Sequence, residues 1–290
     1  MCPFSPKLVH TVEDLRAAVA EARRAGKTVG LVPTMGALHE GHLSLVRASG
    51  ARCEFTVVTI FVNPPQFGPG EDLDTYPRTL EADREALAAS GTDLVFAPDR
   101  ETVYGPDHAT WVDVGGPAEP LEGKHRPGHF RGVATVVLKL LNMVGADVAF
   151  FGRKDYQQAQ VIRRMVRDLN VPIEIQVCPI VREADGLAMS SRNVYLSSGA
   201  RKRAVVLWKS LRLAADKVAE GEQDAAALIE AMREVILAAD DVRIDYIALV
   251  DPETLEPVTH ITGPTVAALA VRIENTRLID NELLLPPGAS

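Results

Sequence analysis

Cysteine is scarce in this sequence: Cys2, Cys53 and Cys178 are an odd, scattered set with no CxxC pair. That argues against a disulfide scaffold or a cysteine zinc site, and a reducing, cytoplasmic setting is expected. Cys53 and Cys178 lie in or beside strand-like segments, where buried thiols are common, so neither is read as a nucleophile. Aromatic residues make up only 5% of the chain, too few for a base-stacking platform. Basic residues are outnumbered, and the net charge of −8 argues against broad nucleic-acid binding. No apolar run approaches the roughly 18 residues of a membrane span, and no early apolar segment follows a basic flank. No nucleic acid and no membrane is therefore expected as a partner. The glycine fingerprints of dinucleotide-binding folds and of P-loops are both missing, as are repeats, heptads and low-complexity tracts.

What is present is ordinary globular composition, 47% hydrophobic and 24% charged. "TVEDLRAAVAEARRA" (11–25) reads as an amphipathic helix capped by Thr11 and stopped at Gly26. "TVGLVPT" predicts a short buried strand, followed by a glycine turn and a helix over 38–49. "FTVVTIFVN" (55–63) is a continuous β-branched run, the pattern of a strand covered on both faces. A helix (79–90), the strand "DLVFAP", the helical "FRGVATVVLKLLNMVG", the strand "DVAFFG" (147–152), the helical "DYQQAQVIRRMVRDLN" and the strand "IEIQVCPIV" (173–181) follow. Strands alternating with helices at this spacing predict an α/β fold with a mostly parallel sheet flanked by helices on both faces. Two alanine-rich helices (197–220 and 223–239) and three strand-like segments then imply a smaller C-terminal α+β domain. The expected division is residues 1–184 and 185–290, with the seam near 182–195.

The chemistry concentrates in loops that follow strands, where open parallel sheets bind ligands. "VPTMGALHEGHLSLVRAS" places His39 and His42 three residues apart at a predicted helix start. A protease-type zinc helix needs histidines four apart with a glutamate base, so this spacing is wrong and no third ligand is evident; any metal ligands remain unknown. A structural cap is one reading. The favoured one is phosphate handling, because residues at i and i+3 share a helix face and a helix N-terminus offers free N–H groups to an anion. Local basic clusters, "GKHRPGHFRG", "GRKD" and "MSSR", can serve an anionic substrate despite the overall deficit. Ser190, Ser191 and Arg192 could offer hydroxyl, backbone and guanidinium donors to polyphosphate. "HxGH" paired with a later Ser-rich basic loop resembles the nucleotidyltransferase superfamily that includes class I aminoacyl-tRNA synthetases.

A narrower resemblance rests on six collinear motifs: "PTMGALHEGHLSLV", "FVNPPQF", "YPRTLEAD", "RPGHFRGVATVV", "FGRKDYQQ" and "READGLAMSSRN", with "NTRLIDN" near the C-terminus. In order and spacing they are similar to the pantothenate synthetases (pantoate–β-alanine ligases), over nearly the whole chain. That resemblance implies a Rossmann-like domain binding ATP and pantoate, a smaller C-terminal lid domain, a homodimer, and Mg²⁺ accompanying ATP. It implies the condensation of pantoate with β-alanine through a pantoyl-adenylate, releasing AMP and pyrophosphate. By the same resemblance, Met35, Gly36, Ala37, Leu38, His39, Glu40, Gly41 and His42 wrap the ATP, with His42 the foremost donor to the transferring phosphate and His39 beside it. Gly152, Arg153, Lys154 and Asp155 form another wall, Lys154 as a point charge for phosphates and Asp155 toward the ribose. Val181 is expected against adenine, and Met189, Ser190, Ser191 and Arg192 over the polyphosphate. Gln66 and Gln158 are the expected pantoate ligands, since a carboxamide both donates and accepts; Gln66 could also meet β-alanine, and Asn63 assists.

Two positions depart from the family pattern. Arg153 stands where a glutamate is usual, which puts nucleotide affinity in question if that acid orients Lys154. Pro65 replaces a residue that is commonly not proline and stiffens the approach to Gln66. Rival readings remain: a nucleotidyltransferase making a dinucleotide should lack the two glutamine motifs, and a tRNA synthetase needs a basic anticodon-binding domain that the acidic C-terminal part does not offer.

Overall fold

A computed structural model describes residues 5–288, so Cys2 lies outside the described residues. The chain divides into two compact units. The first takes the chain up to Ala118, Arg126–Arg153 and Gln158–Pro179; the second takes Glu119–His125, Lys154–Gln157 and the chain from Ile180 onward. A single cut at 184/185 misses this, because the chain enters the second unit twice before it stays there.

The first unit is a six-stranded parallel sheet, with β1 (Lys7–Val9), β2 (Val29–Thr34), β3 (Phe55–Ile60), β4 (Leu94–Phe96), β5 (Val148–Gly152) and β6 (Glu174–Cys178). Their order across the sheet is β1-β4-β3-β2-β5-β6. Strands β2 to β4 are almost wholly buried, as continuous apolar runs require when helices cover both faces. From β2 the chain steps to β3 on one side and later returns to β5 on the other, so the strand order reverses between β2 and β5. Crevices outside the carboxyl ends of such a pair are where open α/β sheets receive ligands.

The helices obey their end signals. In α1 (Val12–Arg24) Thr11 accepts from Asp14 N at 3.1 Å, and the chain turns out through Gly26 at φ +77°. Helix α2 (Glu40–Arg52) begins two residues later than the apolar pattern predicts. Ala37 has φ +50° and His39 is extended, neither of which continues a helix. Then come α3 (Leu80–Ala89), the single-turn α4 (Arg100–Val103) and, in the second unit's first excursion, α5 (Glu122–His125). Helix α6 (His129–Val144) is apolar almost all round, is mostly buried against the sheet and ends at left-handed Gly145, whose N–H returns to Leu141 O. Helix α7 (Tyr156–Asp168) follows β5 after one 3₁₀ turn, Arg153–Asp155.

The second unit packs helices against a three-stranded antiparallel sheet of β7 (Val242–Val250), β8 (Thr265–Ile273) and β9 (Thr276–Leu284). The single helix expected over 197–220 is two, α8 (Ser198–Arg203) and α9 (Val205–Ala219), which meet at Ala204; α10 (Ala225–Leu237) follows. Their buried faces and the central strand β8 share one apolar core that includes Leu207, Leu211, Leu228, Met232 and Leu269.

Candidate active site

The loop between β2 and α2 is held by its backbone. Gly36, at φ +85°, donates its N–H to Thr34 Oγ1, which itself donates to Thr59 O on the neighbouring strand. Ala37 N and Leu38 N then donate to the two oxygens of Asp83 at 3.1 and 2.8 Å. Asp83 is only 3% exposed and also accepts from Thr79 Oγ1. A buried carboxylate from α3 therefore fixes the turn that delivers the histidines.

His39 is the N-cap of α2. Its Nδ1 accepts from Gly41 N at 3.1 Å, and His42 Nδ1 accepts from His39 N at 3.3 Å. The pair reproduces a capping box with imidazoles in place of the usual Ser/Thr and Glu, which explains the spacing of three. It also sets the tautomer: with Nδ1 accepting, each neutral ring carries its proton on Nε2 and is a donor there. The two rings lie 4.1 Å apart between centroids. Two ring donors at a helix N-terminus, beside glycine backbone, suit the equatorial oxygens of a phosphate. Glu40, expected among the nucleotide contacts, is exposed and pairs with Arg47.

Beyond β3 the chain forms a 3₁₀ turn, Pro64–Gln66, with prolines at its first two positions, where missing N–H groups cost nothing. Pro65 thus fits the turn. Asn63 is 1% exposed; its Nδ2 donates to Gln66 Oε1 and to Gly132 O, both at 3.2 Å, and its Oδ1 accepts from Tyr104 Oη at 2.7 Å. Asn63 is thereby committed to holding Gln66. Burial pushes the Tyr104 hydroxyl up to about 12 against the lowering effect of its bond to Asn63, so it stays a donor. Gln66 Nε2 in turn meets Met35 Sδ at 2.8 Å, which joins two predicted site residues directly.

The "RPGHFRG" motif braces this turn from behind. His129 Nδ1 donates to Gln66 O at 2.8 Å, and Arg126 donates to His129 Nε2 and to both oxygens of Glu71. Against the upward push of burial, Arg126 holds the Glu71 carboxyl below the usual range. Gly132 is obligatory for contact: a Cβ there would lie 2.5 Å from Pro65 O and 2.6 Å from Gln66 N.

At the end of β5, Gly152 and Arg153 close the first unit's strand beside β2, both half-buried. Gln158, further along in α7, is half-buried, and its side-chain amide makes no hydrogen bond with any described residue. Gln157 beside it is buried and structural: it accepts from Glu122 N and donates to Pro120 O. Lys154 and Asp155 lie in the second unit; Lys154 Nζ is 4.0 Å from Asp155 Oδ1, and Lys154 O accepts from Asn281 Nδ2.

Also in the second unit, residues 181–189 form a short hairpin in which Met189 N donates to Val181 O at 3.0 Å. This brings Val181, expected against adenine, opposite Met189, expected over the polyphosphate. Arg182 between them makes a bidentate pair with buried Asp280 at 2.7 and 3.0 Å and lies over the Trp208 ring. Burial drives the Asp280 carboxyl upward against that pair. Ser190 caps the following turn by accepting from Arg192 N, and Ser191 and Arg192 occupy the turn itself. Asp83, Asn281 and Arg182 have no expected role from the sequence, although each falls within or beside a quoted motif; Arg126 and His129, expected only as part of a basic cluster for an anionic substrate, are engaged with Glu71 and Gln66 O, and Tyr104 has no sequence signal at all.

A parallel sheet whose reversal point ends in a carboxylate-braced loop, two Nε2–H donors on a helix start and a carboxamide turn defines a nucleotide-binding α/β protein. The sequence model of the family described as Pantoate-beta-alanine ligase matches residues 7–283. The chain belongs to that family. It is 54% identical over 278 residues to a pantothenate synthetase of Moorella thermoacetica, covering 96% of this chain and 98% of the relative. A second pantothenate synthetase, of Thermotoga neapolitana, is 51% identical over 96% of this chain and 99% of its own length. A crystal structure of pantothenate synthetase from Thermus thermophilus superposes with TM-score 0.92 at 48% identity, covering 97% of this chain and 100% of that one. A pantoate-beta-alanine ligase from Francisella tularensis, complexed with beta-gamma ATP and beta-alanine, superposes with TM-score 0.80 at 31% identity over 96% and 98% of the two chains.

Proposed function

We propose that this chain condenses (R)-pantoate with β-alanine at the expense of ATP, giving pantothenate, AMP and pyrophosphate through a pantoyl-adenylate. The observation that carries it is the pair of Nε2-protonated imidazoles on the α2 start, in a loop whose Met35 touches Gln66. The family membership supplies the substrates, and the Francisella tularensis relative is complexed with beta-gamma ATP and beta-alanine.

A carboxylate and an amine do not condense unaided in water, so the carboxylate must gain a leaving group. A pantoate carboxylate oxygen attacks the α-phosphorus, and the bond to the β-phosphate oxygen breaks as pyrophosphate leaves. His42, with His39 beside it, donates from Nε2 to the phosphate oxygens that gather charge. Lys154 adds a positive point charge, and Ser190, Ser191 and Arg192 serve the polyphosphate. Gln66 and Gln158 hold pantoate in line. The free amine of β-alanine then adds to the acyl carbon, loses a proton, and expels AMP. Positioning and charge stabilisation supply most of the rate in such transfers.

Mg²⁺, bound with ATP, would supply neutralisation of the phosphate charge. Among the described residues no group of three or more His, Cys, Asp or Glu is arranged to hold an ion, so no side chain is assigned to it. The working form is a homodimer in the cytoplasm; among the described residues no helix is long and apolar enough to cross a membrane.

The test incubates the protein with ATP, Mg²⁺ and pantoate, with and without β-alanine, and follows AMP. AMP release requiring both pantoate and β-alanine is the expected result. Release with neither substrate returns the chain to the wider nucleotidyltransferase class.

A further inference from the structure

The C-terminal "NTRLIDN" segment is part of the resemblance but has no role in the mechanism above. From Thr276 it lies on strand β9, which pairs with β8 along its whole length from Thr276 to Leu284. Asn281 on it is 3% exposed, and its Nδ2 donates to Lys154 O at 2.8 Å. The strand is pinned at that point, since Asp280 takes the bidentate pair from Arg182 and also accepts from Asn281 N at 2.8 Å. The rest of the excursion 154–157 is fastened to the same unit. Tyr156 Oη donates to Pro252 O at 2.9 Å, and Gln157 is clamped to Glu122 N and Pro120 O.

From this arrangement we propose that Asn281 is a positioning residue for ATP activation, acting through Lys154. The inference rests on the ligase reading and on the role given there to Lys154. Its physics is direct. Lys154 stands in the single 3₁₀ turn, Arg153–Asp155, that joins the end of β5 to the start of α7. A donor held at 2.8 Å on its carbonyl fixes the peptide plane after Lys154, and with it the direction in which the lysine stem leaves the chain. Misplacement of a charged group by about 1 Å costs up to roughly a hundredfold in rate, so losing this single tether is expected to cost about tenfold or more. Rigid support of a loop-borne group by a strand is also how precise sites are built.

The experiment compares Asn281→Ala, Asn281→Ser, Lys154→Ala and the Lys154→Ala/Asn281→Ala double variant in two half-reactions. The first is pantoate-dependent exchange of labelled pyrophosphate into ATP. The second is aminolysis of preformed pantoyl-adenylate by β-alanine, a step from which the polyphosphate has already departed. Either Asn281 variant is expected to slow exchange about tenfold or more. The same variants should change aminolysis less than about threefold, and the double variant should be no slower in exchange than Lys154→Ala alone, as residues acting through one another require. A loss of folded protein lowers both half-reactions alike, so parallel losses would overturn the proposal. Multiplicative losses in the double variant would do the same. Normal exchange by Lys154→Ala removes the lysine's role and the proposal together. If the unaltered enzyme shows no pantoate-dependent exchange, the ligase reading itself is what fails.

Discussion

Replacing Asp83 by alanine removes the carboxylate that receives Ala37 N and Leu38 N. Hydrogen bonds to a charged group contribute about 1.5–3 kcal/mol each, so the pair is worth roughly 3–6 kcal/mol if nothing replaces it. Ala37 and Leu38 are half-buried, and water will recover part of that. A net loss of about 3 kcal/mol is expected, which for a unit of this size lowers the thermal midpoint by roughly 6–12 °C. The functional effect should exceed the stability effect, because the freed turn carries His39 and His42. The KM for ATP in pantoate-dependent pyrophosphate exchange should rise by about tenfold or more. Asp83→Asn keeps the shape but turns an N–H₂ toward one backbone N–H, so it should fall between alanine and the unaltered chain. The paired assay is thermal unfolding and the ATP dependence of exchange. An Asp83→Ala protein with an unchanged midpoint and an unchanged ATP KM would refute the bracing role.

His42→Ala and Lys154→Ala should each slow adenylate formation by about a hundredfold or more, a loss of at least roughly 2.7 kcal/mol in transition-state stabilisation; rapid-quench measurement of AMP-linked product checks this, and near-normal rates would remove the assigned roles. Gln158→Ala should chiefly raise the KM for pantoate, and an unchanged value would take Gln158 out of the substrate site. Gly132→Ala places a methyl group against Pro65 O and Gln66 N, and should cost about 1–3 kcal/mol of stability together with weaker pantoate binding; wild-type behaviour in both would mean the turn has room to retreat. Tyr104 supplies a pH test. Its hydroxyl is held up at about 12 from an ordinary 10, so its contribution is intact below pH 10 and is lost as pH rises through 12. The stability advantage of the unaltered protein over Tyr104→Phe should shrink by roughly 2–3 kcal/mol across that window, at about 1.4 kcal/mol per pH unit; a constant difference in denaturant titrations would contradict the cause given.

Local signals carried much of the fold. The β-branched run before Asn63, the Thr11 cap and the apolar α6 each encode their element within a few neighbouring residues, and the structure has them where periodicity predicts. What local pattern could not carry were features made by distant partners. Strand β1 is three residues long and exists by pairing with β4, more than eighty residues away. The "HEGH" spacing fits a shared helix face, but only the capping geometry identifies the rings as Nε2–H donors. Asp83 looks like any acid in a helix's first turns until the backbone it receives is seen. The excursions 119–125 and 154–157 join the second unit through contacts such as the buried pair of Glu122 with Arg277, 155 positions apart. Asn63 shows the reverse case: a residue type suited to substrate contact whose polar atoms the fold has already engaged.

In the proposed reaction a pantoate carboxylate oxygen becomes bonded to the α-phosphorus of ATP. Pantoate labelled with ¹⁸O in its carboxylate tests this most directly, with the products analysed by phosphorus NMR or mass spectrometry. The attacking oxygen stays on phosphorus when the amine cleaves the acyl–oxygen bond, so AMP should acquire one labelled oxygen and pyrophosphate none. Unlabelled AMP, or label found in pyrophosphate or inorganic phosphate, would contradict the account.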